Sequence, residues 1–446
     1  MDLLLAPVAA WTGTEVIDRA AIHIRDGTIA AIGPMDDVSR SGIDPRTERI
    51  DGSGKLAIPG LINAHTHLYS SLARGMTVSP YAPTSFTQIL EQLWWRLDKA
   101  LDAESIRVSA LVGAMEAARC GVTTLIDHHA SPNEIAGSLD VLREEVCDRL
   151  GLRGVFCYEL SDRDGPKASA AGIAENLRFL DAVPTDGPEL CSAQFGLHAS
   201  FTVEDETMER VAAEIPDDVG IHIHVAEGPE DEIECERKHG LRIAERLDRF
   251  GLLRPRSILA HCLHVADAEK DLIAERDAIV VHNPRSNMNN AVGRFDLPGF
   301  LTRGVATGLG TDGLGADLLG ELFTAGLLQK HAEGDPLAGP LDDLDALLFR
   351  SNPRIGERLL GVPLGRLAPG SPADIAVLDY TPPTPLRSET VLGHLLFGIA
   401  VHSLRVADLF VGGRPVLRGG VFLPVDEEAA YAHAREEAEH LWGRVR

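Results

Sequence analysis

Gly220-Ile-His222-Ile-His224-Val-Ala-Glu227 is the stretch that decides the fold, and Gly228-Pro229 follows it directly. Residues i and i+2 of a strand face the same side. His222 and His224 therefore point together, while Ile221, Ile223 and Val225 face the other way, toward a covering helix. A short apolar strand of this kind, followed by a helical pattern, is one unit of a parallel α/β fold.

The unit recurs along the chain. Strand-like apolar runs lie at 60–67, 122–127, 152–159, 189–198, 220–225, 257–261, 279–282 and 305–310, with helical stretches such as 103–119 and 133–150 between them. Eight strands alternating with helices predict a (β/α)8 barrel of the TIM type over residues 59–365. The two ends read differently. Residues 22–29 alternate and break at Asp26-Gly27, a strong hairpin turn, and 51–54 form a second turn. Residues 373–380, 405–411 and 414–417 repeat that β pattern around Gly412-Gly413. Segments 1–58 and 366–422 are therefore β-rich ends flanking a different middle, and 423–446 is expected to form an exposed, charged C-terminal helix.

The composition narrows the partners. Lys and Arg number 42 against 67 Asp and Glu, a net charge of −25. Such a surface repels phosphate backbones and anionic lipid, so nucleic acid and membranes are excluded as partners. No run approaches the ~18 apolar residues of a membrane span. Leu3-Leu4-Leu5-Ala6 follows Asp2 and ends at Pro7, which suits a first strand better than a signal peptide. Six cysteines without a CxxC motif point to reduced thiols and a cytoplasmic setting. A small molecule is the expected partner, and a homo-oligomer is left open.

Barrel enzymes place their chemistry at the C-terminal ends of their strands. Here the first ends in His65-Thr-His67 and the second in His128-His129. The fifth ends in His222-Ile-His224-Val-Ala-Glu227, the sixth in His261-Cys-Leu-His264, and the eighth in Gly310-Thr-Asp312-Gly313. A lone HxH pair is common by chance, and an isolated strand-end Asp can simply cap a helix. Several imidazoles and a carboxylate, each at a strand end, are instead a natural set for a divalent metal with an open position. The HxE…PCxxC signature of other zinc deaminases and the HExxH motif are both absent.

Pro59-Gly-Leu-Ile-Asn-Ala-His65-Thr-His67, His224-Val-Ala-Glu227, Ala260-His261-Cys, His282-Asn-Pro-Arg-Ser-Asn287 and Gly310-Thr-Asp312-Gly resemble the amidohydrolase superfamily, in its cytosine/guanine deaminase and chlorohydrolase branch. The resemblance covers nearly the whole chain and implies that segments 1–58 and 366–422 join in a composite β-sandwich beside the barrel. Leu93-Trp94-Trp95-Arg96-Leu97-Asp98, Ile126-Asp127-His128-His129-Ala130-Ser131-Pro132 and the 157–165 stretch are similar to SsnA-type aminohydrolases. The resemblance implies metal ligands His65, His67, His224 and Asp312, with Glu227 and His261 handling protons and polarising. His222 lies a layer deeper than His224, in the core or behind the ligands, and His264 lies further along its loop. One Zn2+, or Fe2+ in its place, is the implied cofactor, since imidazole suits both. Binuclear relatives use a carboxylated Lys on the fourth strand. Here no Lys falls between Lys167 and Lys238, so one metal is expected.

The implied activity is hydrolytic deamination of an aminated N-heterocycle of purine, pterin or pyrimidine type. Asp312 would accept a proton from the attacking water, and Glu227 would pass one to the ring nitrogen. The alternatives are dehalogenation of a triazine-like ring and a non-catalytic barrel acting as a binding subunit. His198 is the first pocket candidate, from the position of a substrate-binding His in mononuclear relatives. Gln88, Arg163 and His128 are further candidates: Gln88 stands where some relatives carry a substrate-binding Glu, and Arg163 could meet an anionic group unless it lies exposed. Trp94 and Trp95 could stack on a ring, but Leu90, Leu93, Trp94 and Leu97 at helical spacing read first as core.

Overall fold

The computed structural model describes residues 2–40, 42–183, 190–313, 315–402 and 405–445. Two parallel arcs run in chain order. The first holds Leu61–Thr66, Val122–His129, Arg153–Tyr158 and Cys191–Ala193. The second holds Phe195–Ala199, Ile221–Val225, Ile258–His261, Ile279–His282 and Ala306–Leu309. Cys191–Ala193 and Phe195–Ala199 form one strand interrupted at Gln194, pairing with the third strand before it and the fifth after it. Parallel bridges at Leu160–Leu197 and Thr66–Asp312 join the arcs at both seams. At the second seam the His65 carbonyl accepts from the Thr311 and Asp312 N–H groups, at 3.0 and 3.1 Å. The arrangement is that of a TIM barrel, α/β in class. The expected run 189–198 begins at residue 189, which lies outside the described residues.

Local chemistry fixes the connections. The helix Ala103–Arg119 starts at a capping box: Asp102 accepts from the Ser105 N–H at 2.9 Å, and Ser105 Oγ accepts from the Asp102 N–H at 2.8 Å. The helix expected over 133–150 begins later, at Ser138, because Ser131 and Glu134 close a turn and Gly137 enters left-handed, at φ 82°. It runs on through Glu144–Leu150 with a widened, π-type turn.

The terminal segments interleave in one nine-stranded sheet. Leu56–Pro59 pairs parallel with Asp2–Trp11 and antiparallel with Ile375–Leu378, with Ala57 opposite Val377. The Asp26-Gly27 turn connects Val16–Arg25 to Thr28–Pro34, with Arg25 opposite Thr28. Pro7 sits within Asp2–Trp11, where the register slips between Leu5 and Val8 because proline has no N–H to pair. The C-terminal helix Glu427–Arg444 is not simply exposed. Ala430, Ala434 and Leu441 are buried on one face, and Trp442 Nε1 donates to the Leu72 carbonyl at 2.8 Å. Its charges had hidden a narrow apolar stripe at helical spacing.

One buried ion pair ties the sheet to the barrel. Arg153, opening the third barrel strand, donates to Asp374 at 2.7 and 3.1 Å, and Asp374 also accepts from the Gly412 N–H at 2.6 Å. Removing one member of a buried pair strands the other charge. Arg153→Met is therefore expected to lower the free energy of urea unfolding by about 3–5 kcal/mol. A loss below about 1 kcal/mol would show that Asp374 finds another partner.

Candidate active site and metal centre

Four strand ends deliver the site. His65 and His67 leave the first strand, His224 the fifth, His261 the sixth, and Asp312 follows the eighth. His67 Nε2 lies 3.1 Å from His224 Nε2 and 3.0 Å from Asp312 Oδ1, and His65 Nε2 lies 3.5 Å from the same oxygen. The outer nitrogens are already committed. His67 Nδ1–H donates to the His128 carbonyl at 2.6 Å, and His224 Nδ1–H to the His198 carbonyl at 2.8 Å. Both Nε2 atoms therefore turn lone pairs toward each other, which requires a proton or a cation between them.

Ligand atoms from His65, His224, His261 and Asp312 all lie within 4.8 Å of one another, as do those from His65, His67, His128 and His224. His65 Nε2 is buried among them without a hydrogen-bond partner. Tetrahedral zinc–nitrogen bonds hold two imidazole nitrogens ~3.3 Å apart, close to the spacing seen. The residues fit a divalent metal. The electrostatics agree. Burial opposes charge on His67, but the Asp312 and Glu159 carboxylates push its pKa up to about 9, so a proton stands where a cation would. Burial would raise Asp312, yet its contacts with His65 and His67 hold it well below the carboxylate range.

Glu227 stands beside this cluster, next to His261. Glu227 Oε2 is 3.4 Å from His261 Nε2, and its Oε1 accepts from Asn290 Nδ2 at 3.2 Å. Burial raises Glu227 to about 7, against the lowering pull of His261. His261 is oriented from behind by Asn287, whose Oδ1 accepts from Nδ1 at 2.7 Å. Ser286 Oγ donates to Asp312 Oδ2 at 2.5 Å. Ala226, His261, Cys262 and Asp312 all adopt left-handed backbone, at φ 48°, 75°, 50° and 54°. Residues other than glycine take that region at a cost, and such residues gather at functional sites.

These groups open into a cavity of about 740 Å3, its mouth included, that reaches the aromatic faces of Trp94, Trp95 and Phe201. Helical spacing had favoured a core role for Trp94. The segment Leu90–Trp94 is a widened π-type turn, which rotates it and Trp95 onto the cavity wall. His198 also lines the cavity. The other expected contacts do not. Gln88 folds back, its carbonyl oxygen accepting from the Thr84 N–H at 2.9 Å. Arg163 is buried rather than exposed: it pairs with Asp98 and with Asp164, and its guanidinium lies 5.0 Å from the Trp95 ring centre. His128 sits beneath the cluster, stacked on His222 at 4.5 Å. His222 Nε2 in turn meets His65 Nδ1 at 2.8 Å. His264 Nε2 donates to the Val292 carbonyl and packs its loop.

Glu159 escaped the sequence reading. It lines the cavity, with carboxylate oxygens 3.6 Å from His198 Nε2 and 3.6 Å from His128 Nδ1. The signal was present, since Glu159 closes the run expected as the third strand.

Residues 56–416 match the model of the amidohydrolase family. The chain belongs to the amidohydrolase family. Over 97% of its length this amidohydrolase is 33% identical to a 5'-deoxyadenosine deaminase of Methanothermobacter thermautotrophicus, covering 98% of that protein. It is 31% identical to a 5-methylthioadenosine/S-adenosylhomocysteine deaminase of Pelotomaculum thermopropionicum, covering 98% of both chains. Among solved structures, a zinc-bound adenosine deaminase from Xanthomonas campestris superposes with a TM-score of 0.84 at 26% identity, covering 99% of this chain and 98% of the other. A zinc-bound atrazine chlorohydrolase from Arthrobacter aurescens gives 0.80 at 23% identity, covering 98% and 100%, and shares the fold. Among the described residues no helix is long and apolar enough to cross a membrane.

Proposed function

We propose that this amidohydrolase is a zinc-dependent hydrolytic deaminase of an aminated purine-type ring, of the adenosine class that its relatives' names describe. His65, His67, His224 and Asp312 would hold one Zn2+. The observation that carries the reading is the placement of Glu227: a buried carboxyl on the cavity wall, next to His261 and the ligand cluster.

Such an ion, when bound, would lower the pKa of a water to about 7 and so make it an attacking group at neutral pH. Asp312 would take up a proton from the attacking water. His261, held by Asn287, hydrogen-bonds the attacking oxygen. Glu227 carries a proton to the ring nitrogen beside the carbon under attack; the proton held by Asp312 goes to the departing ammonia, and the hydroxyl proton shed as the new carbonyl forms returns Glu227 to its starting state. Trp94 and Trp95 cover the ring and keep bulk water from the reacting carbon.

The same reading divides the chain into a (β/α)8 hydrolase barrel over 59–365, a β-sandwich built from 1–58 and 366–422, and a C-terminal helix over 423–446. A buried apolar cluster supports the two-layer terminal unit: Leu3, Leu5, Ile22 and Ile24 share one core with Ile375, Val377 and Phe410. A reducing, cytoplasmic setting fits the six free cysteines.

The test is a panel of aminated and chlorinated heterocycles offered to zinc-loaded protein, scored separately for ammonia and chloride. Ammonia release from adenosine-type nucleosides is expected. Chloride release from triazines with no ammonia from any ring would replace deamination with dehalogenation. Silence on every member would leave a non-catalytic barrel.

A further inference from the structure

Five carboxyl side chains line the cavity, and no Lys or Arg does. Four of them have partners or tasks. Glu227 and Asp312 serve the proposed chemistry, and Asp98 is paired with Arg163. Asp231 accepts from the Phe201 N–H at 3.1 Å and from the Ala226 N–H at 3.0 Å, so it braces the two loops. Glu159 has no such task. Its side chain is 4% exposed, and it accepts no hydrogen bond within 3.5 Å from any described residue.

Its neighbours cannot readily serve Oε1, the oxygen nearest His198. His67 Nδ1, 4.0 Å from Oε2, spends its proton on the His128 carbonyl. His198 Nδ1–H donates to Thr202 Oγ1 at 2.7 Å, and the Thr202 hydroxyl donates onward to the Ala199 carbonyl at 3.1 Å. That chain fixes the His198 tautomer and leaves its Nε2 a bare acceptor, 3.6 Å from Glu159 Oε1. With Glu159 ionised, two acceptors thus face one stretch of cavity wall, and neither has a hydrogen bond from a described residue. Buried acceptors without donors are costly, and a ligand that displaces their water must supply the donors.

We propose that Glu159 Oε1 and His198 Nε2 form a subsite that reads a second hydrogen-bond-donor group on the substrate, distinct from the amino group removed. That group is either a further ring amino or N–H, or a sugar hydroxyl pair. The subsite rests on the deaminase reading for the position of the ring.

Two ligand pairs separate the sources: 2,6-diaminopurine against adenine, and adenosine against 2′,3′-dideoxyadenosine. Binding is measured by titration calorimetry on zinc-loaded Glu227→Gln protein, and turnover on the zinc-loaded enzyme with Glu227 intact. The donor-bearing member of one pair is expected to bind about 10-fold tighter or more. Glu159→Gln should bring that pair to within about threefold, with the change falling on KM more than on kcat, and Glu159→Asp should restore part of the preference. Thr202→Val, which frees the His198 tautomer, should weaken the preference too and serves if Glu159→Gln fails to fold. Equal binding within both pairs, binding of no member, or a preference that survives Glu159→Gln or Thr202→Val overturns the subsite. A preference in binding without ammonia release keeps the subsite and removes the deaminase reading. Ammonia release without any preference does the reverse.

Discussion

Zinc-loaded Glu227→Gln is expected to keep its metal and to lose turnover by roughly 10²–10⁴-fold, the contribution of a positioned acid–base group. Glutamine preserves the shape of the side chain and can still meet Asn290 and His261, which flank the carboxyl at 3.2 and 3.4 Å. What it cannot do is carry a proton. Glu227 also stands outside the ligand cluster, so metal content measured by plasma emission should match the unaltered protein. Wild-type turnover in this variant would mean that the ring needs no proton, and a simple hydrolytic displacement would replace the mechanism.

His65→Ala and Asp312→Asn should each cost both metal and activity. His65 contributes a buried Nε2 with no other partner, and Asp312 contributes the oxygen that faces both His65 and His67. On the proposed three-histidine, one-carboxylate assignment, loss of a ligand removes the charge and geometry that would retain the ion. Near-stoichiometric zinc is expected in the unaltered protein and a small fraction of that in either variant, with ammonia release falling in parallel. Equal and near-zero occupancy in all three proteins would sink the site. Iron in place of zinc would change the ion and leave the ligand set standing.

The site was legible where strand periodicity speaks. His65 with His67, and His222 with His224, follow from a period of two. The difference between His222 and His224 is depth along the strand, and His222 does sit behind His65 as its hydrogen-bond partner. Side chains whose direction depends on loop and helix packing were not legible. Trp94 packs against the core, as its spacing suggested, yet it and Trp95 also line the cavity beside a widened helical turn, which a 3.6-residue periodicity cannot encode. Gln88 was assigned by position in relatives, and here a local bond to Thr84 turns it away. Arg163 looked like a loop arginine, but Asp98, 65 residues earlier in the chain, buries it. Glu159 closes a strand, the very place where chemistry was sought, yet it lacks the histidine pairing that drew notice elsewhere. The barrel strands were found nearly to the residue, since each is a compact apolar run. The interleaving of the two ends into one sheet depends on pairings such as Ala57 with Val377, which no local pattern announces.

The left-handed backbone at Ala226, His261, Cys262 and Asp312 has a cost that extends beyond the site. Four non-glycine residues held in that region place the active rim uphill of its own relaxed shape, and the barrel below must hold it there. Asp231 grips the Ala226 N–H, and the Val225 carbonyl accepts from the Cys262 N–H at 2.8 Å. Such a rim is the first part to slacken when the barrel weakens, because local opening there releases strain while the strands stay paired. Heat or distant core substitutions should therefore silence the enzyme while most of its secondary structure is intact. Durability of function and durability of fold are two separate properties of this chain, and the gap between them is set at its strand ends.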